Sequence, residues 1–146
     1  MLHEPYGWGD MFGARDCSRF IIDLFSSFGM IMPRNSLYQG RMGRAQEEMD
    51  QMKTTERKRV LDRAVPLATL LRLPGHIMLY LGKDRGRYYA IHNIWGMDKG
   101  TSSKPVLEKI GRVEVSDLSL GESGPLGSLL ERITDVRFIG PPRDSP

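Results

Sequence analysis

The sequence holds a single cysteine, Cys17, among its 146 residues. No internal disulfide can form, so the thiol stays free and gives no sign of redox compartment. No stretch approaches the roughly 20 apolar residues of a membrane span, and the N-terminus lacks the charged start and apolar core of a secretory signal. With only three histidines, no Cys/His cluster has zinc-ligand spacing, and no Gly-rich phosphate loop is present. No metal or other cofactor is therefore expected. A formal net charge of +3 is too small to identify a partner. No internal repeat is apparent. What remains is one domain spanning 1–146, long enough to bury a single core, with an ordinary hydrophobic fraction.

The lone cysteine sits in Arg15-Asp16-Cys17-Ser18, just ahead of an apolar stripe. Asp16 is a preferred N-cap, and Phe20, Ile21, Leu24, Phe25 and Phe28 follow at helical spacing, with Gly29 ending the run. Cys17 lies on or beside the packed face of that helix. A thiol attacks carbonyl carbon as thiolate, which calls for a nearby imidazole and is favoured by a helix N-terminus. Taken alone, Cys17 reads first as a buried structural thiol, which is what most free cysteines are.

The histidines sit far downstream. Pro74 to Gly82 and Arg87 to Trp95 read as two strands bounded by turn residues, with Lys83-Asp84-Arg85-Gly86 between them. A three-residue loop from Asp84 to Gly86 sets Lys83 opposite Arg87, His76 opposite Ile94 and His92 opposite Met78. Both imidazoles then share one face as diagonal neighbours, and a slip of one residue separates them. Either histidine alone also fits a satisfied, half-buried strand residue. His3 has no ligand-spaced partner and reads as a surface residue.

Tyr6-Gly7-Trp8-Gly9, Asp16-Cys17-Ser18, Phe28-Gly29, Pro33-Arg34, Gln39, the run Gly75 to Gly82, and Ile91-His92-Asn93 occur in an order that resembles the NlpC/P60 cysteine peptidases. The likeness runs from about Tyr6 to Trp95. It implies an α+β, papain-like fold in which a cysteine-bearing helix packs on an antiparallel sheet carrying the histidines. It also implies hydrolysis of the γ-D-glutamyl bond to a diamino acid in peptidoglycan stem peptides or muropeptides. By position, Cys17 is then the nucleophile, His76 the general base and acid, and His92 the residue that orients His76. The Cys17 backbone N–H and the Tyr6 hydroxyl are oxyanion candidates, although Tyr6 also fits a core aromatic. Asp16, Ser18, Asn35 and Ser36 flank the substrate side, and capping alone accounts for Asp16 and Ser18. Two departures stand out. Arg19 replaces a frequent glycine and puts a cation near the cleft rim. Asn35 replaces a frequent aspartate, so recognition of a free substrate amine is weakened. A thiol amidase or acyltransferase using the same dyad, and an inactive wall-binding module, are the alternatives.

Peptidoglycan lies outside the cytoplasm, so the resemblance implies an extracytoplasmic location, in the periplasm or cell envelope. With no signal in the chain, Met1 is expected to begin an isolated catalytic domain, with SH3-like modules of its relatives absent upstream. Residues 41–66 read as a charged helical insertion: seven cations and five acids mix between Arg41 and Arg63. One or two surface helices are expected there, with Thr54-Thr55 marking the break and capping the second. Interspersed charge without aromatics argues against a nucleic-acid patch, and no nucleic-acid partner is expected. Pro66 ends the helix. Farther on, Arg112 to Val115 reads as a strand, Ser128 to Ile133 as a short helix and Val136 to Ile139 as a closing strand, while Asp144 to Pro146 is expected to fray.

Overall fold

The structure is a computed structural model that describes residues 1–98, 101, 103–104 and 106–140. The expected fraying at Asp144 to Pro146 lies outside the described residues. The elements run α1 (Cys17–Ser26), α2 (Ser36–Gln39), β1 (Arg44–Glu48), α3 (Thr54–Arg63), β2 (Thr69–Leu73), β3 (His76–Asp84), β4 (Arg87–Asp98), β5 (Leu107–Asp117), α4 (Leu129–Arg132) and β6 (Asp135–Phe138). An irregular turn, Trp8–Gly13, precedes α1. The six strands form one antiparallel sheet in the order β1-β6-β2-β3-β4-β5. The fold is α+β.

Both faces of the sheet are covered, which explains why β3 is apolar at consecutive positions instead of alternating. Ile77 and Leu79 turn toward α1, where they meet Phe20, Ile21 and Phe25. Met78 and Tyr80 turn to the opposite face and pack with Val60 and Leu61 of α3 and Leu129 and Leu130 of α4. Burial of such side chains stabilises by about 1.5–3 kcal/mol each. His76 shares the side-chain parity of Met78, so the histidine end of β3 belongs to the α4 face while Cys17 approaches from the α1 face.

The hairpin departs from expectation near its tip. Arg85 and Gly86 both have positive φ, 45° and 80°, which makes a two-residue turn of the type that matches strand twist. Asp84 therefore opposes Arg87, and Lys83 opposes Tyr88. A bulge between Tyr80 and Gly82 then absorbs one residue. Beyond it Tyr80 pairs with Ala90 and Leu79 with Ile91, which is the expected register. The two deviations cancel before the histidines are reached.

The insertion is the main correction. Its first part is a strand, β1, paired with β6, so residues 41–66 hold one helix rather than a purely helical segment. Without β1, β6 would present an open edge, and covering that edge outweighs the helix preference of the alanine, glutamine and glutamates. Thr54 opens α3 rather than capping it; the cap is Lys53, whose N–H donates to the Glu56 carboxylate at 2.8 Å. The helix is also not a wholly solvated face. Arg57 is buried and donates to the carbonyls of Met49 (2.6 Å), Met52 (2.9 Å), Leu130 (3.2 Å) and Ile133 (2.6 Å), which ties α3 to α4. Phe28, expected on the packed face of α1, is 75% exposed because the helix has already ended at Ser26.

Candidate active site

The start of α1 is held by a polar hub. Asp16 caps the helix by accepting from the Arg19 N–H at 2.8 Å. The same carboxylate accepts from the Ser18 hydroxyl at 3.0 Å and from both terminal nitrogens of Arg34 at 3.1 and 2.7 Å. Arg34 also donates to Ser18 Oγ at 2.7 Å and pairs with Asp10 at 3.0 Å. Burial opposes ionisation of Asp16, but the bonds from Arg34, Arg19 and Ser18 outweigh it and hold the carboxyl below its ordinary value. Gln39, fully buried, donates to the Ser18 and Pro33 carbonyls at 2.9 and 2.8 Å and locks α2 against this hub. Asn35 accepts from the Leu37 N–H at 2.8 Å and so caps α2. Arg19 pairs with Asp23 at 2.8 Å and reaches Asp10, the partner of Arg34, at 3.5 Å.

Cys17 is 6% exposed. Burial pushes its thiol up to about 11, the backbone N–H of Ile77 partly counters this by pointing at the sulfur, and the charge of Asp16 adds to the rise. The helix start alone therefore does not make a resting thiolate, because loss of water outweighs the local amides. The Ile77 contact sets the sulfur beside the start of β3, the strand that His76 opens.

The two imidazoles meet directly. His76 Nε2 lies 2.7 Å from His92 Nδ1, and His92 Nε2 lies 2.9 Å from Ser116 Oγ. Ser116 donates onward to Glu114 across a long 3.4 Å. His92 is 0% exposed, and burial, with His76 nearby, holds it well below its usual value. His76 keeps an edge on the groove, yet dense packing behind it and the positive charge of Arg132 hold it down to about 4. Both rings are neutral at neutral pH. Asn93, the next residue along β4, donates to the Arg15 carbonyl at 2.7 Å and so fastens the histidine strand to the segment that leads into α1.

A groove passes over these groups. On the cysteine side a cavity of about 260 Å³ is lined by Asp16, Cys17, Ser18, Arg34, Asn35 and Ser36. On the histidine side a cavity of about 210 Å³ is lined by His76, Trp95, Leu129 and Arg132 among others. Tyr6, Trp8 and Gly75 belong to both walls, so the two cavities are halves of one cleft. The rings of Tyr6, Trp8 and Trp95 lie 5.2 to 5.9 Å apart at their centroids and form its aromatic rim. Burial and the neighbouring Cys17 and Asp16 raise the Tyr6 phenol, which therefore stays a protonated donor. A separate cavity of about 270 Å³ near Thr54, Lys58 and Tyr88 contains none of these residues. Among the described residues, no three histidine, cysteine or acidic side chains gather to hold a metal, and no helix is long and apolar enough to cross a membrane. His3 is exposed and remote from the groove's lining.

All the candidates read from the sequence line the groove or, like His92, back onto it. Besides Glu114 at the end of the relay, four further groups were not read as site residues. Ser116 and Arg132 come from segments with no local motif; Trp95 and Arg34 were visible only as parts of motifs. A single residue on a remote strand leaves no periodic signal, so only the folded chain brings it to the site.

The fold and site define a papain-like α+β protein with a buried thiol and a histidine pair at the meeting of a helix N-terminus and a sheet. The NlpC/P60 family model matches residues 3–93, and the chain belongs to the NlpC/P60 family. An NlpC/P60 endopeptidase from Photobacterium damselae subsp. piscicida superposes with a TM-score of 0.83 at 23% identity, over 94% of this chain and 36% of that one. A NlpC/P60 family protein from Bacillus cereus ATCC 10987 superposes at 0.60 with 20% identity, over 96% of this chain and 37% of that one. The chain thus spans little more than a third of either solved structure. Comparison with curated proteins returned no match.

Proposed function

We propose that this domain is a cysteine endopeptidase of the cell envelope that hydrolyses the γ-D-glutamyl bond to a diamino acid in peptidoglycan stem peptides, using Cys17, His76 and His92. The 2.7 Å bond between the two imidazoles carries the reading. His76 commits Nε2 to His92, which leaves Nδ1 as its free nitrogen. For Nδ1 to hold a lone pair, Nε2–H donates to His92 Nδ1, His92 Nε2–H donates to Ser116, and Ser116 donates to Glu114. A chain of donors therefore points away from the thiol and ends on a carboxylate, which favours the positive charge that His76 acquires.

The resting pair is neutral, so proton transfer accompanies attack. His76 takes the thiol proton as the sulfur forms its bond to the carbonyl carbon, and the carbonyl oxygen becomes an oxyanion. The Cys17 backbone N–H and the Tyr6 hydroxyl are the donors proposed for that oxygen. Collapse breaks the C–N bond while His76 protonates the departing amine. Water then gives a proton to His76, attacks the thioester, and releases the acid and the thiol. Asp16 and Ser18 build the helix start with Arg34, and Asn35 and Ser36 line the acyl side of the groove.

Digestion of defined stem peptides and purified muropeptides, with products identified by mass spectrometry, tests the reading. The expected products are a fragment ending in D-glutamate and one with a new amine on the diamino acid. Cleavage at another bond, or transfer of the acyl group to an added amine in place of water, contradicts it.

A further inference from the structure

His76 protonates the nitrogen that departs, so the released amino acid lies on the His76 side of the scissile bond. That side is the cavity of about 210 Å³ walled by Trp8, Trp95, Met97 and Leu129. Its one permanently charged lining side chain is Arg132, at the end of α4. Arg132 is partly buried, and loss of water lowers its guanidinium with no carboxylate near enough to counter it. The other covered arginines are all partnered. Arg15 meets Glu4 and Asp23, Arg19 meets Asp23, Arg72 and Arg137 meet Asp135, and Arg57 donates to backbone carbonyls. Among the described residues, Arg132 alone of this group has no acceptor within hydrogen-bond reach. A half-buried cation without a partner is costly unless a ligand supplies the counter-charge. Arg132 also lies outside the stretch 3–93 that the family model matches.

We propose that Arg132 binds a free carboxylate on the released amino acid, while the tryptophans and Leu129 hold its aliphatic part. The inference rests on the reading of His76 as the acid that serves the leaving group. A diamino acid presents such a carboxylate in two ways: as its α-carboxylate when it ends the peptide, or on its side chain when it is a diamino diacid. The groove then selects a charged leaving residue over its amide, because a guanidinium pairs with a carboxylate in bidentate geometry and an amide offers only one neutral acceptor.

Two measurements test this together. The first compares kcat/KM for γ-D-glutamyl-lysine with its α-carboxyl free and amidated, and for γ-D-glutamyl-diaminopimelate with either carboxyl amidated in turn. The parent should favour the free acid at one of these positions by at least about tenfold, which identifies the source. Arg132→Met should bring that ratio near one, and Arg132→Lys should restore part of it. The second needs no catalysis. The chain has two tryptophans, and both line this cavity, so intrinsic fluorescence reports occupancy. Free diaminopimelate should perturb the parent at concentrations about tenfold lower than its diamide does, and Arg132→Met should remove the difference. The proposal is overturned if acid and amide behave alike in the parent, if neither binds, or if the preference survives Arg132→Met. Arg132-dependent binding without cleavage of any stem peptide would sustain this inference and remove the peptidase reading; cleavage indifferent to the carboxylate would do the reverse.

Discussion

The two halves of the groove use charge in opposite ways. At the cysteine end, Arg34 is spent on Asp10, Asp16 and Ser18, so its charge is consumed in shaping the start of α1. At the histidine end, the relay from His76 through His92 to Ser116 is uncharged and buried, and Arg132 beside it has no acid. A cation already paired with two carboxylates builds architecture; one left unpaired in a cavity is available to a ligand.

The sharpest way to break this comparison is at His76. His76→Ala is expected to lower turnover by ~10³-fold or more while leaving the thermal midpoint close to that of the parent; an active, folded variant would show that the relay does no chemistry. His92→Ala acts one step away. It should lower kcat by about 10–100-fold with KM little changed if, as proposed, it orients the base and does not meet substrate. Ser116→Ala, one further hydrogen bond out, should show the same split with a smaller loss. A rise in KM alone would make His92 a wall of the groove.

At the cysteine end the expected loss is in stability. Arg34→Met strips Asp16 and Ser18 of a charged donor and should cost about 1–2 kcal/mol, read as an earlier urea midpoint at unchanged slope. Arg132→Met, by contrast, breaks no internal pair and removes an unpartnered half-buried charge, so it should hold or raise the midpoint. Equal losses in both would erase the distinction between the two arginines.

pH sharpens the contrast further. Burial depresses both His76 and His92, so between about pH 6.5 and 4 the unfolded chain binds protons that the folded protein refuses. Stability is therefore full above the unfolded value and falls as pH drops through that window. Urea midpoints taken across it should decline, and His92→Phe should flatten the decline. The smallest effect is expected at Asn35. Asn35→Asp preserves a capping oxygen for Leu37 and adds a charge that can pair with a substrate ammonium. Its kcat/KM ratio for free over acetylated stem peptides should exceed the parent's by a few-fold. A strong free-amine preference in the parent that the variant does not raise would assign amine recognition to another group.

Local chemistry made much of this legible in the sequence. The Asp16 cap, the apolar stripe behind Cys17 and the run Ile77 to Tyr80 are signals that sterics and hydrogen bonding leave within a few residues, and α1 and the β3–β4 hairpin follow from them. The shared face of His76 and His92 was readable too, although the two-residue turn and the bulge at its base were not; each shifts register by one, and they offset each other. β1 was hidden because its residues favour a helix and only the unpaired edge of β6 makes them a strand. Ser116, Glu114 and Arg132 were invisible for the same reason: their roles come from pairings across the sheet and from the docking of α4, which are non-local. The fall in solvation that lifts the Cys17 thiol is likewise a property of packing and not of the Asp16-Cys17-Ser18 string.

The central claim is that Cys17 forms the covalent intermediate of peptide hydrolysis in this groove. Its most direct test is intact-protein mass spectrometry of acid-quenched mixtures of the protein with a defined γ-D-glutamyl-diamino acid stem peptide, run beside folded Cys17→Ala. The account predicts a mass gain on Cys17 equal to the glutamyl-terminated acyl fragment, together with released diamino acid, and neither in the variant. Cleavage of the same bond by folded Cys17→Ala would contradict it.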